Sequence, residues 1–408
     1  MADIECDHDR RLIKKEDNQA DYRRVNITQP LDDSLTMNEK NKHGHCSKYL
    51  KQRVIPCSDK SYTETGKVQN IGILNLQHGN HNYGAVLQAY ALETVVKKMG
   101  FDVETIDFRN KKSAIKFYIK NCIRNINGKN DTVFERFRSR NMVLSRIYPH
   151  SKSLYKTNYD AVIVGSDQVW RPEYTAPNPG SYFLDFCTTN CRRISYAASF
   201  GRDRWESNRE LTGKVIAEVS RFHAVSVREF SGKTICENIF GVNAEQVLDP
   251  TLLAGADTFY HLLDWKAKKN SIAVYKLDKD EIFYSDVRRL SSRLNLQITE
   301  LYDKSNYMEV NKWLTEIYNS RLVITDSFHC VCFCILFNID FICIANRDRG
   351  TTRLKSLLMT LEISGRFVER ISDINLQHIL GKIDFNLSNK RLSELRKTST
   401  NFLAEALR

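Results

Sequence analysis

The sequence predicts an α/β protein of two Rossmann-like domains facing a cleft, followed by terminal helices. Continuous apolar runs alternate with segments of helical periodicity, which is the pattern of parallel strands covered by helices on both faces. The alternation breaks at Asp249-Pro250-Thr251 and then begins again, so one series of elements becomes two. Small and polar residues gather just after the predicted strands, where open parallel sheets bind their ligands.

Order begins at Asn70. Residues 1–69 are rich in Asp, Asn, Lys and Ser, lack periodicity, and read as a disordered polar extension. In the first domain, residues 70–250, the apolar run from Ile71 leads into a turn at Gly79–Gly84. A helix follows, with Leu87, Ala91, Val95 and Met99 at i, i+4 spacing, and Gly100 stops it. Further strands are expected at Val103–Phe108, Tyr159–Val164, Ile194–Phe200, Ala224–Val227 and Gln246–Leu248. In the second domain, residues 251–370, strands at Ile272–Tyr275, Gln297–Leu301, Leu322–Thr325, Phe341–Ile344 and Phe367–Glu369 alternate with helices near 279–294, 307–319, 327–337 and 351–361. Residues 371–408 read as terminal helices.

Composition narrows the function. The 408 residues suffice for two cores. No apolar run approaches the roughly 20 residues of a membrane-spanning helix. The polar start has no signal-peptide stretch, so the expected location is cytoplasmic. The 11 cysteines are odd in number and lie mostly in apolar segments such as HCVCFCILF, which suits free buried thiols. Cys6, His8, His43, His45 and Cys46 are too scattered for a zinc site, and no metal is expected. The net charge of +12 suits anionic substrates or an anionic membrane. Without helix-turn-helix, RNP or zinc-finger patterns, nucleic acid is not an expected partner.

Four loops carry chemistry. Gly79–Gly84 precedes a helix whose N-terminus can receive an anion, or is simply a tight turn. Gly165–Trp170 offers Asp167 and Gln168 to sugar hydroxyls, with Trp170 as an aromatic platform or a core plug. Arg228 can hold a carboxylate or phosphate bidentately, or pair with Glu229 at the surface. In Thr325–Cys330, the line Phe328, Val331, Cys332, Ile335 and Leu336 faces the core. Ser327 and His329 are then left at an exposed helix start, suited to proton transfer near neutral pH.

The segments GILNLQHGNHNYGAVLQAYAL, YDAVIVGSDQVW, YFLDF, RISYAASFG, SVREFSG, VLDPTLL, VITDSFHCVCFCILFN and RGTTRLKSLL stand in the order found in the polysaccharide pyruvyl transferases. The chain resembles that family over residues 70–370. The resemblance implies a glycosyltransferase B-like fold and transfer of pyruvate from phosphoenolpyruvate (PEP) to a sugar of a polysaccharide or its lipid-linked precursor, as a ketal, with no cofactor. It implies His329 as the catalytic acid/base, PEP at Arg228 and Ser327, and the acceptor sugar at Asn82, Tyr83, Asp167 and Gln168. Two positions depart from the family pattern: Ser327 replaces an arginine, and Cys330 replaces a common glycine. Arg347, Arg349 and Arg353, just after the next strand, are the candidates to restore the lost charge. A nucleotide-sugar glycosyltransferase and a non-catalytic carbohydrate-binding relative are the alternatives on the same fold.

Residues 111–126 suggest a peripheral membrane contact. Lys112, Lys116, Lys120 and Arg124 recur every four residues beside Ile115, Ile119 and Ile123, so a helix would set a basic stripe next to an apolar one. The alternative is an ordinary domain helix with its isoleucines in the core. If the stripe docks, the protein co-sediments with anionic vesicles at low salt, and a Lys112/Lys116/Lys120→Glu variant does not; no binding by the wild type would dispose of the contact.

Overall fold

The expected strands form, except that the one called at Gln246–Leu248 is the short strand Glu245–Gln246, and every strand pair is parallel. The structure, a computed structural model, describes residues 68–76, 82–109, 132–265, 267–278, 280–303, 305–346, 350–373, 377 and 381–408. The polar extension up to residue 67, the basic segment 111–126, and Arg347 and Arg349 lie outside the described residues.

The first sheet comprises β1 (Asn70–Leu74), β2 (Asp102–Phe108), β3 (Leu144–Tyr148), β4 (Ala161–Gly165), β5 (Arg192–Ala198), β6 (Ala224–Val227) and β7 (Glu245–Gln246), in the order β3-β2-β1-β4-β5-β6-β7. The second comprises β8 (Ser271–Tyr275), β9 (Gln297–Glu300), β10 (Leu322–Thr325), β11 (Phe341–Ile344) and β12 (Phe367–Val368), in the order β12-β11-β10-β8-β9. The principal helices are α1 (Tyr83–Lys98), α2 (Val133–Asn141), α3 (Arg209–Val219), α4 (Phe230–Ile235), α5 (Pro250–Ala254), α6 (Glu281–Leu294), α7 (Val310–Asn319), α8 (Phe328–Phe337), α9 (Thr352–Thr360) and α10 (Phe385–Leu407). This is the doubly wound, glycosyltransferase B-like arrangement of two Rossmann-like lobes. Edge strand β3, in which only Ser145 and Tyr148 are buried, was not expected.

Strand order reverses between β1 and β4 in one sheet and between β8 and β10 in the other. At such points neighbouring loops leave in opposite directions and open a crevice at the strands' carboxyl ends.

One apolar cluster joins the lobes. Helix α1 is buried on nearly every side because it lies between its own sheet and helices α5 and α8. Its Tyr83, Val86, Leu87 and Tyr90 share a core with Phe259, Trp313, Phe333 and the rest of α8. The ring of Tyr83 stacks on Trp313 at 4.8 Å and 4°. All ten residues of α8 are buried, including Cys330, Cys332 and Cys334, which are free thiols. Helix α10 clasps both lobes. Leu392 packs in the shared core, whereas Phe402, Leu403, Ala406 and Leu407 join Ile71, Val96 and Tyr196 under the first sheet. No helix among the described residues is long and apolar enough to cross a membrane.

Candidate active site

The two crevices open into one cavity of about 460 Å³. Leu76 and Asn82 reach it from the loop after β1, and Asp167 and Gln168 from the loop after β4. Tyr275 and Leu277 reach it from the end of β8, and Ser327, Phe328 and His329 from the turn between β10 and α8. Arg353, at the start of α9, and Tyr174, Tyr302 and Tyr307 complete the wall.

Behind that wall lies a buried carboxylate. Asp249 Oδ1 accepts from the Thr251 backbone N–H (3.0 Å) and hydroxyl (2.7 Å) at the start of α5. Its Oδ2 accepts from Ser166 Oγ and from Arg228 Nη1, both at 2.8 Å, and lies 3.4 Å from His329 Nε2. Burial would raise the pKa of Asp249, but His329, Arg228 and the Thr251 hydrogen bond outweigh it and hold the carboxyl well below the usual range. One charge thus ties together loops from β4, β6, β7 and β10.

The β4 loop is held in an uncommon backbone. Ser166 and Asp167 have φ values of 31° and 62°, the left-handed region that non-glycine residues rarely enter. Hydrogen bonds from Ser166 N to Tyr196 O (2.9 Å) and from Ser199 N to Asp167 O (3.0 Å) hold them there. Gly201 makes room beside this loop: a Cβ on it would lie 1.9 Å from Gln168 Oε1.

The β10 turn is fixed by a second buried carboxylate. Asp326 accepts from Lys276 Nζ (2.9 Å), Leu277 N (2.9 Å) and Asn346 Nδ2 (2.7 Å), pinning the ends of β8, β10 and β11 to each other. Ser327 then caps α8, accepting from Cys330 N at 3.5 Å. His329 is not at an exposed helix start as expected. It is only 5% exposed, because the first turn of α1 packs against it. A Cβ on Gly84 would meet its Nδ1 at 2.2 Å, so glycine is the residue that allows this approach.

The structure gathers Asn82, Asp167, Gln168, Ser327, His329 and Arg353 around the cavity. Tyr83 lies beneath it, with its hydroxyl donating to Met308 O. Arg228 lies behind it, buried rather than in a surface pair with Glu229, with its guanidinium 4.4 Å from the Phe328 ring centroid. Trp170 is a core plug: it is fully buried, stacks on Phe183 and donates to Tyr182 O. Sequence reading took Asp249 as the break between two series of strands and missed its role. Its position as an N-cap before Pro250 was the available signal. Of the cavity tyrosines, Tyr302 and Tyr307 stand in the irregular segment between β9 and α7, where no periodicity points to them. Among the described residues, no group of three or more His, Cys, Asp or Glu side chains could hold a metal ion.

Removing the carboxylate should be costly. Asp249→Asn removes the nearest counter-charge of buried Arg228 and leaves it only the more distant Asp167 (3.7 Å) and Glu229 (4.0 Å), a loss of up to about 3–5 kcal/mol. Because the folded pKa of Asp249 is depressed, its stabilisation is complete above the unfolded carboxylate value of about 3.9 and fades as pH falls below it. Urea melts from pH 7 to pH 3 should therefore show the gap between wild type and variant narrowing as pH drops below about 4. A gap that is constant or widens towards acid would contradict this role.

Solved structures resemble the chain at low identity, one of them with a TM-score above 0.5. UDP-N-acetylglucosamine 2-epimerase from Rickettsia bellii matches with a TM-score of 0.51 and 9% identity over 84% of this chain and 97% of its own. The S. aureus protein MnaA, solved with UDP, gives a TM-score of 0.48 and 11% identity over 80% and 91%. A glycosyltransferase from Rickettsia africae gives 0.42 and 11% over 84% and 96%. No curated protein sequence matches the chain. The family model for polysaccharide pyruvyl transferases, in contrast, matches residues 82–349, a span that begins at the cap of α1 and takes in Asp167, Asp249 and His329. On that match, this chain belongs to the polysaccharide pyruvyl transferase family.

Proposed function

We propose that the cavity holds PEP and an acceptor sugar together, with His329 moving the protons of ketal formation. The observation that carries this reading is the convergence of both switch-point crevices on one cavity that contains His329 and Arg353. The family's reaction is pyruvyl transfer from PEP to a sugar, and this enzyme is of that kind. Its chemistry adds one sugar hydroxyl across the PEP double bond, so that C2 gains an oxygen and C3 a proton. A second hydroxyl then displaces phosphate from C2, and its proton leaves with the phosphate or with a base. Both steps need a group that exchanges protons near neutral pH, and histidine is that group.

PEP is read at the cationic side, where Arg353 and the start of α8 face the cavity. Arg353 lies beside the Phe328 ring, 5.9 Å from its centroid, and its Nη1 is 4.0 Å from Asp167 Oδ1. Arg228 occupies the other approach to the same ring and supports the site from behind through Asp249. Arg347 and Arg349 remain candidates from sequence. A polysaccharide sugar or its lipid-linked precursor is the proposed acceptor, and contact of residues 111–126 with an anionic membrane rests on their spacing alone.

His329→Gln should lower acceptor-dependent phosphate release by about 10²–10⁴-fold, the usual contribution of a general acid or base, while PEP binding by calorimetry changes little. Arg353→Ala should instead weaken PEP binding by about 1.5–3 kcal/mol. Normal turnover in the first variant, or normal PEP affinity in the second, would remove the residue from its role. Gly84→Ala pushes a methyl into the imidazole and should cost about 10²-fold in kcat through misplacement. Full activity in that variant would mean that the contact does not position His329.

A further inference from the structure

The cavity has two chemically different ends, and we infer that the end formed by Tyr275, Tyr302 and Tyr307 is the acceptor-sugar subsite. This rests on the reading of the opposite end as the PEP site. Phe328 marks the cationic end, with Arg228 and Arg353 on its ring. The other end is built around Tyr83: its ring meets Tyr275 at 6.0 Å and Tyr307 at 6.3 Å, and Tyr302 contacts both of these at 5.6 and 6.2 Å. These rings meet at 58–85°, edge-on or tilted rather than stacked. His329 joins the two ends. It follows Phe328 in the chain, and it packs against Gly84, which follows Tyr83.

Burial costs decide which ligand goes where. A phosphate and a carboxylate among tyrosines would be desolvated without a cation, whereas Arg353 offers one at the Phe328 side of the cavity. A sugar presents C–H faces that pack on aromatic rings and hydroxyls that hydrogen-bond to phenols, and half-buried tyrosines offer both. Tyr302 and Tyr307 are half-buried in the segment between β9 and α7. That segment is therefore where choice of sugar would reside. The inference moves the acceptor away from the β1 and β4 loops expected from sequence; Asn82 and Gln168 then border it rather than form its platform.

The test uses the full chain as Tyr302→Ala, Tyr302→Phe and Tyr307→Phe variants on an array of bacterial oligosaccharides without PEP, alongside calorimetric titration with PEP. Tyr302→Ala should weaken binding to the arrayed sugars by about tenfold, the loss of one aromatic contact, with PEP affinity unchanged. The phenylalanine variants keep the ring and the fold, and should retain most sugar binding. Unchanged sugar binding in Tyr302→Ala, a parallel loss of PEP affinity, or a wild type that binds no arrayed sugar would each overturn the subsite. Tyr302-dependent sugar binding by a wild type that releases no phosphate from PEP would uphold the subsite and refute the transfer reading instead.

Discussion

The site depends on one buried carboxylate. Asp249 is almost without solvent, so each charge and hydrogen bond it satisfies is stronger than at a surface, and an unmatched one would be ruinous. Its partners come from different places in the chain: Ser166 after β4, Arg228 after β6, Thr251 at the start of α5 and His329 in α8. The second sheet's histidine is thereby held to the first sheet's loops. Geometry that two lobes would otherwise share loosely becomes a single constellation.

Close backbone approach completes what the charge begins. Gly84 lets α1 cover the imidazole, and Gly201 lets Gln168 turn into the wall. The left-handed Ser166 and Asp167 are sustained by hydrogen bonds to Tyr196 and Ser199, so the β4 loop aims a carboxylate at the cavity instead of relaxing into an ordinary turn. Strain of this kind persists only where the surroundings over-determine it, and here a bulged neighbour, β5, supplies them.

Much of the fold was legible because its strands are continuous apolar runs with glycine or polar loops between them. Edge strand β3 escaped, since Leu144–Tyr148 has neither a clean run nor a clean alternation. Loop position and helix start singled out His329, and the charge missing at Ser327 pointed to Arg353; both line the cavity. Local pattern failed where distant elements decide. His329 is buried by a helix about 240 positions earlier, and Arg228 is claimed by a carboxylate rather than offered to solvent. Trp170 had equal standing as platform or plug until Phe183 and Tyr182 closed around it. Of the aromatic platform proposed instead, Tyr302 and Tyr307 lie in a loop whose residues carry no period.

Helix α10 has a consequence for how the molecule is made. Phe402, Leu403, Ala406 and Leu407 complete the apolar layer beside Ile71 and Val96, partners roughly 330 positions apart. A ribosome that has finished the first sheet has not yet produced the side chains that close its underside. During synthesis that layer stays open to water, to chaperones and to other nascent chains until the final clasp arrives. The underside of the first sheet is therefore complete only once Leu407 has been made.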